Sequence, residues 1–343
     1  MAISSLKSIL ISRTDSLGDV TLTLPLAGYL KWVYPKIHIV FLGCSYAQPL
    51  VDCCEFVDEF VNYTDLKQLP MHKQVGEIMK LQVDAVLHVF PEASVARLMK
   101  KAEVPIRIGT SHRAFHWFTC NRFVSFSRRR SELHESQLNF KLLKGLGFDF
   151  VPQLKEIPAW YGLKPKQQLP DALQKQLDPN RFKLILHPKS KGSAREWGVD
   201  RFVELIKLLP EDRFQLLVSG TAEEGAQLQP LFQEVGDRVL NLTGQLSLSA
   251  FIALIAASDG LVAASTGPLH IAAALGKKAL GLYAPMKPIH PGRWKPIGLK
   301  ADYLVMDKNC NDCRKGGVCA CILGIEAKTV AEWFEGVKVQ PSE

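Results

Sequence analysis

Short apolar, β-branched runs alternate with amphipathic stretches along the chain, and the alternation predicts strands and helices taken in turn. In the first half, strands are predicted over residues 8–12, 37–42, 56–61, 85–89, 107–108 and 122–124, with a helix over 20–31 that has Pro25 near its start. Between Asp149 and Pro170 the pattern lapses into a stretch broken by Pro152, Pro158 and Pro165, which marks a domain boundary. A second series then predicts strands over 183–186, 214–219, 239–242, 260–264 and 279–283. Its helices are expected over 200–209, 222–232, 248–257 and 268–275, with a closing one over 327–337. Strands and helices in strict alternation imply parallel sheets wrapped by helices. The expected fold class is therefore α/β, with two Rossmann-like, doubly wound domains over 1–160 and 161–325. A last segment, 326–343, is expected to be a helix able to return to the first domain. Two such domains in succession predict a cleft between their carboxyl edges, where ligands bind.

Composition fits a globular protein: of 343 residues, 47% are hydrophobic and 22% charged. No run approaches the ~20 apolar residues that span a bilayer, and the first eight residues are too short for a secretory signal. The expected location is the cytoplasm or its membrane face. Net charge is +8, and the excess is local. Arg97, Lys100, Lys101, Arg107, Arg113, Arg122, Arg128, Arg129 and Arg130 are interrupted by Glu103 as the only acid, a composition suited to an anionic partner or simply to a solvated face. Cys44, Cys53, Cys54 and Cys120 are scattered among apolar residues and read as core thiols. Cys310, Cys313, Cys319 and Cys321 follow C-x2-C-x5-C-x-C, a spacing that suits a metal, reduced thiols or a local disulfide; no metal site is assigned to it.

The most informative stretch is Ser265-Thr266-Gly267-Pro268-Leu269-His270, a predicted strand end, a short turn with Gly, and a helix with Pro in its first turn. Such a helix start presents open backbone N–H groups and the positive end of the helix dipole beyond the sheet edge, where phosphates bind; an ordinary capped helix has the same look. Another loop, His187 to Trp197, carries Lys189, Lys191 and Arg195 among Ser and Gly, a composition able to wrap and neutralise a diphosphate. It lacks the P-loop pattern. After the strand at 214–219, Glu223 and Glu224 stand where a ribose could be held, or where acids merely support a helix capped by Thr221. In the first domain Arg13-Thr14-Asp15-Ser16-Leu17-Gly18-Asp19 links a strand to a helix. Gly18 is expected to permit a tight turn, and capping does not require both Asp15 and Asp19, so one carboxylate is available as a general base.

Together these loops resemble glycosyltransferase family 9, the ADP-heptose:lipopolysaccharide heptosyltransferases, which have the two-domain GT-B fold. The resemblance is carried by Ile9 through Val20 with Thr23-Leu24-Pro25, by Ala194-Arg195-Glu196-Trp197, by Asn241-Leu242-Thr243-Gly244 followed by Leu248, and by Ser265 through Gly276. Weaker echoes lie at His134 to Leu143 and Gly281 to Pro285. The resemblance implies an inverting, metal-independent transfer of heptose from ADP-heptose to a lipid A-anchored inner-core glycan, with no cofactor and no nucleic acid. By the same resemblance Asp19 is the base. Lys189, Lys191, Arg195, Glu223, Glu224, Ser265, Thr266, Gly267 and His270 bind the donor; Arg13, Ser16, Gly18, Arg113 and Arg122 bind the acceptor at the inner face of the inner membrane. Two positions depart from the family pattern. Ala264-Ser265 stands where an acid is usual before the Thr-Gly, and Arg195 replaces a Lys while keeping its charge. The lost acid motivates an alternative, a member that uses another nucleotide sugar or only binds. The basic stretch motivates a nucleic-acid-binding reading, which no recognition motif supports.

Overall fold

The computed structural model describes residues 6–128, 130–287, 289–306 and 319–336. The chain divides into two compact units, with Lys164 the last residue of the first and Pro165 the first of the second. In the first unit, β1 (Ser8–Ser12), β2 (His38–Gly43), β3 (Glu59–Asn62), β4 (Ala85–His88), β5 (Ile106–Thr110) and β6 (Arg122–Val124) form a parallel sheet ordered β3-β2-β1-β4-β5-β6. In the second, β7 (Phe182–His187), β8 (Phe214–Val218), β9 (Val239–Asn241), β10 (Gly260–Ala264), β11 (Lys278–Leu282) and β12 (Ala301–Leu304) are ordered β12-β11-β10-β7-β8-β9. Both sheets wind outward from a central strand to one edge, then return to wind the other way. Each therefore has a switch point, between β1 and β4 in one and between β7 and β10 in the other, where two neighbouring loops diverge and leave a crevice.

Central strands buried on both faces need unbroken apolar runs, and β1 and β10 are buried at every position. In the first unit Leu10, Val40 and Val86 pack against Val95, Leu98 and Met99 of helix Ala93–Lys101. Elsewhere in that unit, Tyr29 of helix Pro25–Val33 meets the rings of Phe140 and Trp160 edge-on, at 5.5 and 5.2 Å between centroids. The same helix approaches the Ile157–Trp160 turn so closely that a Cβ on Gly28 would lie 2.2 Å from the Trp160 carbonyl oxygen. In the second unit Leu184, Leu186, Val262 and Leu280 pack with Phe202 and Leu205 of helix Val199–Leu208. Each such side chain contributes about 1.5–3 kcal/mol of burial.

The elements differ from expectation where backbone chemistry intervenes. The helix expected over 20–31 is two, Leu17–Thr21 and Pro25–Val33, because Pro25 has no N–H to continue the ladder and instead starts the second. The helix expected over 222–232 likewise divides into Ala222–Gln227 and Gln229–Val235, with Pro230 in the first turn of the latter. Edge strand β12 is too short and polar to stand out in the hydropathy pattern. Helix Ala327–Glu335 belongs to the second unit, in place of the expected return to the first. Val330 and Phe334 join that core, Lys278 Nζ donates to the Trp333 and Phe334 carbonyls at 2.7 and 3.0 Å, and Arg213 pairs with Glu335 at 3.1 Å.

Cys53, Cys54 and Cys120 are buried as expected of core thiols, Cys44 is half-buried, and Cys319 and Cys321 lie in the second core. Cys310, Cys313 and Arg129 fall outside the described residues.

Candidate functional site

Every candidate loop leaves the carboxyl edge of its sheet, and the most chemically loaded flank the two switch points. From β1, the chain passes through Arg13 to Ser16 and enters helix Leu17–Thr21. Ser16 is the N-cap: its Oγ accepts from the Asp19 N–H at 3.5 Å and donates to Asp19 Oδ2 at 2.5 Å. The hydroxyl thus caps the helix, and the Asp19 carboxylate is held for something else. Gly18 has helical backbone in this first turn, so the expected tight turn is absent; what it supplies is a small buried residue.

Arg13 organises the loop from beneath. Its guanidinium, 3% exposed, donates through Nε and Nη2 to both Asp15 oxygens at 2.6 and 3.0 Å, through Nη2 to Asp19 Oδ1, and through Nη1 to Glu135 at 3.2 Å and Asn139 at 3.4 Å. The sequence reading gave Arg13 to the acceptor. The structure gives its donors to three carboxylates, of which Glu135 is buried and Asp15 and Asp19 are half-buried, because a guanidinium taken from water must be met by charge and hydrogen bonds. It positions Asp19.

Glu135 and Asn139 come from one face of helix Glu135–Lys141, spaced i, i+4. Glu135, 1% exposed, also pairs with Arg128 at 2.9 Å, and Asn139 Nδ2 donates to the Leu22 carbonyl and Thr23 Oγ1, each at 3.2 Å. Sequence reading missed both residues as site elements. The available signal was an acid and an amide four apart, just after His134. His134 itself begins the helix with a capping box, its ring accepting from Ser136 N–H at 3.2 Å. Thr14 donates to Glu92 at 2.5 Å and Tyr46 OH to the Asp15 carbonyl, so the loop is pinned from both sides.

This environment changes protonation. Burial pushes the Asp15 carboxyl up to about 6, against the pull of Arg13 and with help from the negative charge of Asp19. Arg13 is held above its ordinary range: burial alone would lower it, and Asp19, Asp15 and Glu135 more than reverse that. Of the other expected acceptor ligands, Arg113 is exposed at the start of helix Ala114–Thr119. Arg122 is exposed on edge strand β6, three strands from β1 and so roughly 15 Å across the sheet. Arg122 donates to the Gly145 carbonyl at 2.9 Å and is not brought to the Asp19 loop.

In the second unit β7 ends at His187, directly beside Ala263 of β10. The following loop is braced by Glu196, which accepts from Lys189 Nζ at 2.5 Å, Ser190 N–H at 2.9 Å and Ser190 Oγ at 3.1 Å. Lys189, expected to neutralise a diphosphate, is therefore already paired. Lys191 is exposed in left-handed backbone, φ 49°, with Gly192 at φ 78° after it. Trp197 anchors the far end of the loop, buried against Phe202 and donating from Nε1 to the Ile325 carbonyl at 2.9 Å. Burial pushes the His187 imidazole down to about 4; its Nδ1 shares a 3.0 Å hydrogen bond with Ser219.

β10 runs into Ser265, Thr266 and helix Gly267–Ala274. Thr266 is the N-cap residue but makes no capping bond, and its buried Oγ1 has no hydrogen-bond partner. Both facts leave the helix start open to an anion, with Gly267 in helical backbone and Pro268 pre-set for the first turn. His270 follows one turn on, buried. Ser265 lines one pocket together with Ala194, Arg195, Tyr283 and Met286. Residues of two loops far apart in sequence thus line the same small cavity. After β8, Thr221 and Glu224 form a capping box at 2.8 and 3.3 Å, so Glu224 supports the helix, and Glu223 is left as the exposed carboxylate. Among the described residues no group of three or more His, Cys, Asp or Glu could hold a metal ion.

Comparison with known proteins adds the family. The model of glycosyltransferase family 9 (heptosyltransferase) matches residues 72–320. A Haemophilus influenzae protein whose name goes no further than glycosyltransferase is 29% identical over 308 residues, covering 85% of this chain and 86% of the relative. Lipopolysaccharide heptosyltransferase 2 of Escherichia coli is 28% identical over 362 residues, covering 97% and 99%. A solved structure of E. coli heptosyltransferase WaaC with ADP-2-deoxy-2-fluoro heptose superposes with a TM-score of 0.70 at 18% identity, covering 96% of this chain and all of that one (100%). The fold is GT-B, built from two Rossmann-like units. With the match over most of its length, the chain belongs to glycosyltransferase family 9 (heptosyltransferase) and is a glycosyltransferase.

Proposed function

We propose that this enzyme transfers heptose from ADP-heptose, with inversion, to a hydroxyl of a lipid A-anchored inner-core glycan at the inner face of the inner membrane. The observation that carries the donor half is the shared pocket of Arg195 and Ser265 beside the uncapped helix start at Thr266. A cation, a hydroxyl and open backbone N–H groups are the chemistry a diphosphate needs. Of Glu223 and Glu224 we assign Glu223 to the ribose, since Glu224 is taken up by the capping box. Names of relatives point the same way, since the E. coli relative is a lipopolysaccharide heptosyltransferase and the superposed WaaC holds an ADP-heptose analogue.

For the chemical step, Asp19 takes the acceptor hydroxyl proton as that oxygen bonds to the anomeric carbon. The bond from that carbon to the diphosphate breaks, and its electron pair leaves on ADP. Arg13 and Ser16 fix the carboxylate so that one oxygen keeps a lone pair for the proton. Arg195 and the helix start stabilise the charge growing on the leaving group. No step in this scheme calls on a metal or a cofactor.

Calorimetry with ADP and ADP-heptose tests the reading. Both are expected to bind, and Arg195→Ala is expected to weaken each by roughly tenfold to hundredfold, the loss of one or two charge-assisted hydrogen bonds. If the wild type binds neither nucleotide, the donor assignment fails. Ser265, in the position where an acid is usual, favours a second reading in which the sugar differs from heptose. Tighter binding of another nucleotide sugar than of ADP-heptose would select it.

A further inference from the structure

Three aromatic side chains are exposed near the β6 edge of the first unit, two of them, Trp117 and Phe123, as neighbouring rings. Trp117 is 67% and Phe118 75% exposed, at the end of helix Ala114–Thr119, and Phe123 on edge strand β6 is 48% exposed, with its ring centroid 6.5 Å from that of Trp117. Exposed apolar residues scattered singly need no explanation, but neighbouring Trp and Phe rings at one edge do. The indole Nε1–H of Trp117 is already bonded to the Ser111 carbonyl at 2.8 Å, so the outward part of the ring carries no donor needing water. Cations rim the same patch. Lys100 Nζ donates to the Phe118 carbonyl at 2.8 Å, and Lys101 follows it at the end of helix Ala93–Lys101. Arg122 does not belong to the patch: successive strand residues face opposite sides of the sheet, and it donates to the Gly145 carbonyl on the other side.

We infer that this patch is a docking surface for an anionic lipid bilayer, with Trp117 and Phe118 entering the headgroup and acyl boundary and Lys100 and Lys101 meeting the lipid phosphates. Apolar rings whose polar atoms are satisfied enter that boundary without leaving a donor unpaired. Each cation near a negative surface adds to the attraction. A second copy of the chain is a poorer occupant, because a two-fold contact through this patch would set like charges against one another. Duplex nucleic acid would use the cations but leave the most exposed hydrocarbon without a role. The inference gives a surface to the membrane location proposed above, and rests on that reading only for why a bilayer is nearby.

The test is co-sedimentation of the full chain with vesicles of phosphatidylcholine alone and of phosphatidylcholine mixed with phosphatidylglycerol, over a salt series. Binding is expected to the mixed vesicles and to fall steeply with salt. Trp117→Ser with Phe118→Ser is expected to lower the partition coefficient by roughly tenfold or more, as two rings lose their burial. Lys100→Gln with Lys101→Gln is expected to lower it by a similar factor and flatten the salt dependence. All four positions are exposed, and ADP-heptose binding measured on the same samples reports both folding and the donor assignment separately. Wild type that ignores the mixed vesicles, variants that bind like wild type, or tighter capture by a duplex oligonucleotide would each overturn the inference. Vesicle binding without nucleotide binding would leave it standing and remove the donor assignment instead.

Discussion

Asp19→Asn is expected to lower kcat by about 10³-fold, or about 4 kcal/mol, while ADP-heptose affinity stays within a factor of about two of wild type. The change keeps size and shape and replaces the carboxylate by an amide unable to accept the proton. Folding is expected to survive, because Ser16 rather than the Asp19 carboxylate caps helix Leu17–Thr21. Donor binding is expected to survive because every residue assigned to the donor lies in the second unit. A steady-state assay of ADP release, with calorimetry on the same protein, separates the two effects. Turnover within about tenfold of wild type would remove Asp19 as the base.

Glu135→Ala is the substitution with the largest expected effect on stability, about 3–5 kcal/mol, because it leaves Arg13 and Arg128 buried or half-buried with one of their carboxylates gone. Urea denaturation measures it, as a lower midpoint for the first unit with the second unchanged. Glu135→Gln keeps the shape and an acceptor oxygen and is expected to cost less. In both variants kcat is expected to fall as well, since Arg13 then holds Asp19 less firmly. A variant with wild-type stability would mean that the Arg13 cluster is not the pinning device described here.

Much of this was legible in the sequence because strand and helix periods are local properties. The runs that became β1, β6 and β10 were read at their observed limits, and the loops bearing Asp19, Arg195 and Ser265 were picked out as strand-turn-helix junctions with a particular loop composition. Edges and breaks were harder. β12 contains Asp302 in only four residues and has little apolar pattern, and the helix breaks at Pro25 and Pro230 depend on single missing N–H groups. Partners were hardest. Nothing near Arg13 in sequence says that Glu135 and Asn139 will meet its guanidinium, more than 100 residues away. Nor does the Lys189 loop announce that Glu196 will take the lysine's charge. Long-range pairing is decided by which elements the sheet order brings together, and hydropathy carries no record of it.

The most direct test of the account is transfer itself: purified enzyme with ADP-heptose and a heptose-deficient lipid A-anchored core, following ADP release and the mass of the glycan. The account predicts one ADP released per heptose added, an anomeric configuration opposite to the donor's, and loss of both signals in Asp19→Asn. ADP-heptose left intact beside an unmodified acceptor, or a product that retains the donor's configuration, would contradict it.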